Sequence, residues 1–171
     1  MTNMVAEYYN LCATNMLYKA PDKLPVVFSR PSVFVAGGIS NCPDWQTDIT
    51  SIMDTNLYDV VNPRRQIGFD STGAIAREQI EWEHSALSKI DSCIFWFPQE
   101  TLCPITLLEA GRMIERAKHH TVRLTIGWHP NYARAFDLEV QIDLEKIPKE
   151  YMLYFSSGWD GFVSAVKKTY G

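Results

Sequence analysis

The stretch SVFVAGG, residues 32–38, decides the fold. Ser32–Ala36 is a short apolar run without polar alternation, and it ends in Gly37-Gly38. Such a run reads as a strand buried on both faces that feeds a tight turn. Working outward, Trp45, Ile49, Ile52 and Met53 recur at helical spacing between Asp44 and about Thr55. Leu57–Val61 reads as a second strand, stopped by Asn62-Pro63. Residues 66–73 read as a loop and Ala74–Ile90 as a long helix, followed by a third strand, Ser92–Phe97, that Pro98 ends. Pro104 suits the first turn of a helix running to about Lys118. Thr121–Ile126 is a fourth strand, Leu138–Ile142 the expected place of a short fifth, residues 151–155 a further candidate, and Trp159–Thr169 a final helix. Alternation of this kind predicts an α/β protein with a parallel sheet covered by helices on both faces. Residues 1–30 hold Pro21 and Pro25 and no clean periodicity; they read as an N-terminal extension, with a short helix expected within 5–18, before a domain spanning 31–171.

Composition narrows the function. The chain has 171 residues, 46% of them hydrophobic and 21% charged, which suits one globular domain with a full core. The net charge of −4 argues against a nucleic-acid polymer as partner, since polymer binding needs a basic surface for many phosphate contacts. Cys12, Cys42, Cys93 and Cys103 fit neither a zinc pattern nor a CxxC redox pair, so a reduced, cytoplasmic protein is expected. No basic-then-apolar leader and no run long enough for a bilayer is found, so no membrane partner is expected. The histidines His84, His119, His120 and His129 lack metal-ligand spacing; neither a metal nor a cofactor is expected.

In parallel α/β sheets, ligands bind beyond the C-terminal ends of the strands. That rule directs attention to Gly37–Asp44, Asn62–Asp70 and Phe97–Glu109. Gly37-Gly38 allows close approach of a ligand, or is an ordinary strand-end turn; it is not a GxGxxG dinucleotide pattern. Asp44 either contacts a ligand or caps the helix it opens, and Trp45 either lies against a nucleobase or belongs to the core. Asn62-Pro63-Arg64-Arg65 places two cations at a strand end, either for a phosphate or carboxylate or as solvated loop residues. Phe97 closes a buried strand and reaches towards the site. Glu83 shares an apolar stripe with Ala86, Leu87 and Ile90, so it is either a carboxylate whose burial raises its pKa for acid–base work or an edge residue reaching water. Glu109 lies among Ile105, Leu107, Leu108 and Met113, near a Gly111 that would allow close helix approach; the alternative is a surface pair with Arg112. Two carboxylates at one end of such a sheet are the usual equipment for glycosidic chemistry.

Taken together, VFVAGGI (33–39), DWQ (44–46), NPRR (62–65), QIEWE (79–83), the Asp91 before IFWFP (94–98) and PITLLEAG (104–111) resemble the nucleoside 2-deoxyribosyltransferase-like family, over about residues 32–126. The resemblance implies a flavodoxin-like three-layer fold with a roughly five-stranded parallel sheet, assembled into homodimers or larger oligomers. It implies that Glu109 is the nucleophile that forms a covalent glycosyl-enzyme and that Glu83, eight residues before Asp91, handles the proton of the departing base. Glu83 stands where Asp is commoner in the family, and Asp91 is structural. Family members carry acidic and glycine residues before the nucleophile's preceding Ser or Thr; here Cys103, Pro104 and Ile105 stand there and only Thr106 is kept, so sugar recognition differs. Relatives acting on monophosphates hold the 5′-phosphate near the first glycine turn, which implies Ser40 and Arg64 as counterparts. The expected partner is a nucleoside or nucleotide with a free nucleobase, and the expected activity is nucleoside 2-deoxyribosyl transfer. The alternatives are hydrolysis of a nucleoside monophosphate or an NAD-type dinucleotide, and a nucleotide sensor without chemistry.

Overall fold

The computed structural model describes residues 16–65 and 73–171. Six strands form one sheet: β1 (Leu17–Lys19), β2 (Ser32–Gly37), β3 (Asp59–Asn62), β4 (Ser92–Phe97), β5 (Arg123–Trp128) and β6 (Met152–Phe155). Their order is β1-β3-β2-β4-β5-β6, and every pairing is parallel. Among the described residues, five helices cover it: α1 (Trp45–Ser51), α2 (Gly73–Leu87), α3 (Pro104–Lys118), α4 (Ala135–Glu145) and α5 (Trp159–Tyr170). The protein is therefore a flavodoxin-like three-layer α/β fold.

The central strands β2, β3, β4 and β5 are buried on both faces, so successive side chains feed two separate cores. Phe34, Ala36, Phe95, Phe97, Leu124 and Ile126 meet Trp82, Ala86 and Leu87 of α2, Met113 and Ala117 of α3, and Leu138 and Ile142 of α4. Val33, Val35, Ile94 and Trp96 meet Trp45 and Ile49 of α1 and Phe162, Val166 and Tyr170 of α5 on the other side. Asp91 fixes the strand starts: its Oδ2 accepts from the Ser32 amide and hydroxyl, both at 2.8 Å, and so ties β2 to β4.

Three expectations need correction. Leu138–Ile142 is part of α4, not a strand. Phe136, Leu138, Val140, Ile142 and Leu144 alternate with polar residues as a half-buried strand does, but only Leu138 and Ile142, one helical turn apart, are buried. The fifth and sixth strands are instead the 152–155 candidate and β1, a three-residue edge inside the proline-containing extension that pairs Leu17 with Val60. The helix expected within 5–18 lies outside the described residues except for 16–18, where Leu17 and Tyr18 are strand; the loop expected at 66–73 lies outside them except for Gly73, which opens α2.

Candidate active site

The candidate residues fall in two regions. The first is the turn after β2. Its geometry explains both glycines. A Cβ on Gly37 would lie 2.3 Å from the Trp96 carbonyl oxygen and 2.3 Å from the Trp45 ring. A Cβ on Gly38 would lie 2.7 Å from Pro98, 2.8 Å from Thr101 and 2.9 Å from the Cys103 sulfur. Protein atoms therefore make the close approach that the sequence left to a ligand or a turn. The Gly38 carbonyl accepts from Trp45 Nε1 at 2.8 Å, from Cys42 Sγ at 3.0 Å and from Gln46 Nε2 at 3.3 Å. Trp45 is 3% exposed and sits in the α1–α5 core.

Arg64 straps this turn to the end of β3. Its Nη1 donates to the Pro43 carbonyl and to Gln46 Oε1, both at 2.9 Å, and its Nη2 to the carbonyls of Cys42 at 3.2 Å and Ile39 at 3.4 Å. Its Nε lies 3.5 Å from Asp44. Asp44 in turn caps α1, accepting from the Thr47 amide at 3.1 Å and hydroxyl at 2.8 Å. Asn62 Oδ1 accepts from the Arg64 amide at 2.9 Å. Ser40 is exposed in the turn. Phe97 is fully buried, 5.4 Å from the Tyr132 ring, and Thr106 is buried in the first turn of α3.

The second region lies between α2 and α3. Glu83 on α2 and Glu109 on α3 are each partly buried, and the charge of Glu83 is felt at Glu109. Loss of solvent, then the Glu83 charge, pushes the Glu109 carboxyl up to about 8, with Arg112 opposing. Burial also raises Glu83, while a Gln79 hydrogen bond and the Arg65 charge pull it down. Both carboxyls are thus held above the ordinary carboxylate range, each chiefly by burial and Glu109 further by the Glu83 charge. Cys93, fully buried in β4, feels the Glu109 charge and is held well above the ordinary thiol range chiefly by burial. Arg112 Nη1 lies 3.1 Å from His84 Nδ1, so the residue after Glu83 anchors the cation that opposes the rise at Glu109.

Pro104 opens α3, as its sequence position suggests, and Cys103 before it adopts a left-handed conformation with φ 48°. That bend, with Gly38 packed against the Cys103 sulfur, sets where the first turn of α3 leaves the sheet. Gly111 departs from expectation: its position faces open space, so it makes no close approach to strand or helix.

The structure thus brings Glu83 and Glu109 together, and gathers Gly37, Gly38, Asp44, Trp45, Asn62 and Arg64 into a separate, internally bonded turn. Sequence reasoning gave Gln79 no role and read Arg65 only as one of two strand-end cations, for a phosphate or carboxylate or solvated in the loop. Gln79 is 5% exposed, and its Nε2 donates to Glu83 Oε1 at 2.7 Å and to the Pro63 carbonyl at 2.8 Å. Arg65 Nε donates to Gln79 Oε1, and its Nη2 meets Glu78 at 2.6 Å. The available signal was spacing alone: Gln79 stands one helical turn before Glu83.

A six-stranded parallel sheet covered by helices, two of which carry the partly buried Glu83 and Glu109, defines a flavodoxin-like α/β protein. Residues 30–125, more than half of the chain, match the family model described as nucleoside 2-deoxyribosyltransferase like. The chain belongs to that family. No curated protein sequence matches it. Among the described residues, no helix is long and apolar enough to cross a membrane, and no cluster of three or more His, Cys, Asp or Glu is placed to hold a metal.

Proposed function

We propose that the protein cleaves or exchanges the N-glycosidic bond of a nucleoside, as a nucleoside 2-deoxyribosyltransferase. The observation that carries this reading is that two partly buried carboxyls, Glu83 and Glu109, the second feeling the charge of the first, lie inside the region that matches the family model. In its one-proton form the pair holds everything the first step needs. A Glu109 oxygen attacks C1′ as the C1′–N bond breaks. The bond's electrons leave with the base, and the pair's proton passes to the base through Glu83. The glycosyl ester on Glu109 is then attacked by a second base, with Glu83 taking back the proton.

Arg64 is the implied holder of a 5′-phosphate, yet its guanidinium already serves the turn carbonyls and Asp44. That favours a nucleoside over a nucleotide as glycosyl donor. We also propose a homo-oligomer. Ile105 and Leu108 on α3 and Phe136 and Leu144 on α4 are more than half exposed on the same side of the sheet, and burying such apolar surface favours self-association.

The test is to incubate the protein with a panel of nucleosides and their 5′-monophosphates, with and without free adenine or cytosine, and to follow the bases by chromatography. New nucleosides formed only with an acceptor are expected. Free base and sugar without an acceptor would make the protein a hydrolase. Binding without cleavage across the panel would make it a sensor.

A further inference from the structure

The carboxylate pair rests on a polar support that reaches it from one side only. Gln79 is nearly inaccessible to solvent, and both of its amide atoms are engaged. Its oxygen accepts from Arg65 Nε, which orients the amide so that its nitrogen must donate. The nitrogen then donates at once to the Pro63 carbonyl at 2.8 Å and to Glu83 Oε1 at 2.7 Å. Arg65 is itself held by Glu78 at 2.6 Å, with its side chain 13% exposed. The chain Glu78–Arg65–Gln79–Glu83 therefore joins the segment after β3 to α2, and it ends on a carboxylate rather than on a backbone group. An amide fixed in this sense can only donate to Glu83, so it favours the ionised form of that residue. Glu109 has no corresponding donor among the hydrogen bonds of the described residues. It faces Glu83 from α3, with Arg112 one turn further along, His84 on Arg112 and the Cys93 thiol of β4 nearby.

We propose that Gln79 is a positioning residue for the carboxylate pair, and that its anchoring by Pro63 and Arg65 decides which of Glu83 and Glu109 carries the proton they share. In the resting protein Glu83 is the carboxylate and Glu109 the acid. This arrangement inverts the roles the reaction requires. Entry of the substrate base beside Glu83 draws the proton from Glu109 to Glu83 and on to the base, so the nucleophile is unmasked only when a leaving group is present. Atoms and charge balance: one proton leaves Glu109, one arrives on the base, and the carboxylate so formed becomes the ester at C1′. A masked nucleophile of this kind limits reaction with stray electrophiles between turnovers. The catalytic part of this account rests on the glycosyl-transfer reading; the placement of the proton does not.

The experiment is a carboxyl-carbon NMR titration of the full chain carrying labelled glutamate, without substrate, with the two signals assigned through Glu83→Gln and Glu109→Gln. In the parent protein Glu83 is expected to titrate below Glu109. Gln79→Leu removes the donor and is expected to raise the Glu83 midpoint by about one pH unit, the size of a charge-assisted hydrogen bond. Gln79→Glu has nearly the same shape, guards against misfolding of the first variant, and adds a like charge; it is expected to raise the midpoint at least as far. A purely structural role for Gln79 would lower the melting temperature and leave both midpoints in place, and that result in either folded variant would overturn the proposal. So would a parent protein in which Glu109 ionises first. Because the titration uses no nucleoside, a failure to cleave any nucleoside would strike the proposed activity and leave the proton placement standing on its own data.

Discussion

The turn after β2 and the carboxyls carried by α2 and α3 spend their polar groups in opposite ways. In the turn, Gly38, Asp44, Trp45, Asn62 and Arg64 are bonded to one another or to neighbouring backbone. Between the helices, burial and then the Glu83 charge raise the Glu109 carboxyl to about 8, and Glu83 has the partial support of Gln79. A folded protein normally avoids such uncompensated like charge, because each buried carboxylate raises the cost of ionising the other. Its retention is evidence of a site, while closure of hydrogen bonds in the turn is evidence of scaffold. Under the proposed function the two regions divide the work: the turn sets the position of α1 and α3, and the carboxyl pair supplies reactivity.

Substitutions can break or sharpen that division. The largest effect is expected at Glu109. Glu109→Gln should lower glycosyl transfer by at least about a thousandfold, since no other group in the account replaces the nucleophile, and should leave the fold intact by circular dichroism. A variant that loses structure instead would make Glu109 part of the scaffold. The reverse pattern is expected at Gly37. Gly37→Ala drives a methyl into the Trp96 carbonyl oxygen and the Trp45 ring, and should cost about 1–3 kcal/mol of stability in denaturant unfolding.

A third effect separates the regions by pH. The Glu109 carboxyl is raised in the folded chain, so the fold binds that proton more tightly than the unfolded chain does. Its contribution to stability is complete below the ordinary carboxylate range and is lost as pH rises towards about 8. Unfolding free energy should fall across that window, by no more than about 1.4 kcal/mol per pH unit from this one group. Glu109→Gln should flatten the slope. The smallest effect is expected at Asp44, half exposed at its side chain. Asp44→Ala should cost about 1 kcal/mol through the lost helix cap and leave the pH slope unchanged.

The fold was legible where physics is local. Buried parallel strands appear as apolar runs such as Ser32–Ala36 and Ser92–Phe97, and Pro104 marks the start of α3. The sequence misled at 138–142, where residues of alternating polarity expose one apolar set on a helix, and it was silent at β1, which is too short to show a period. The apolar neighbours of Glu83 and Glu109 left burial and a surface position both open, and the structure shows each partly buried. The engagement of Arg64 and the support from Gln79 were not legible. The partners of Arg64 lie 18–25 residues earlier in the chain, and most are backbone carbonyls that carry no sequence signal. The amide of Gln79 depends on Pro63 and Arg65, 16 and 14 residues away.

The central claim is that Glu109 becomes covalently glycosylated. It is tested most directly by quenching the protein in acid during turnover of a nucleoside and measuring its peptides by mass spectrometry. The account predicts one added glycosyl mass on the peptide containing Glu109, absent without nucleoside and absent in Glu109→Gln. Turnover that proceeds with no adduct on that peptide, or with an adduct on the Glu83 peptide instead, would contradict it.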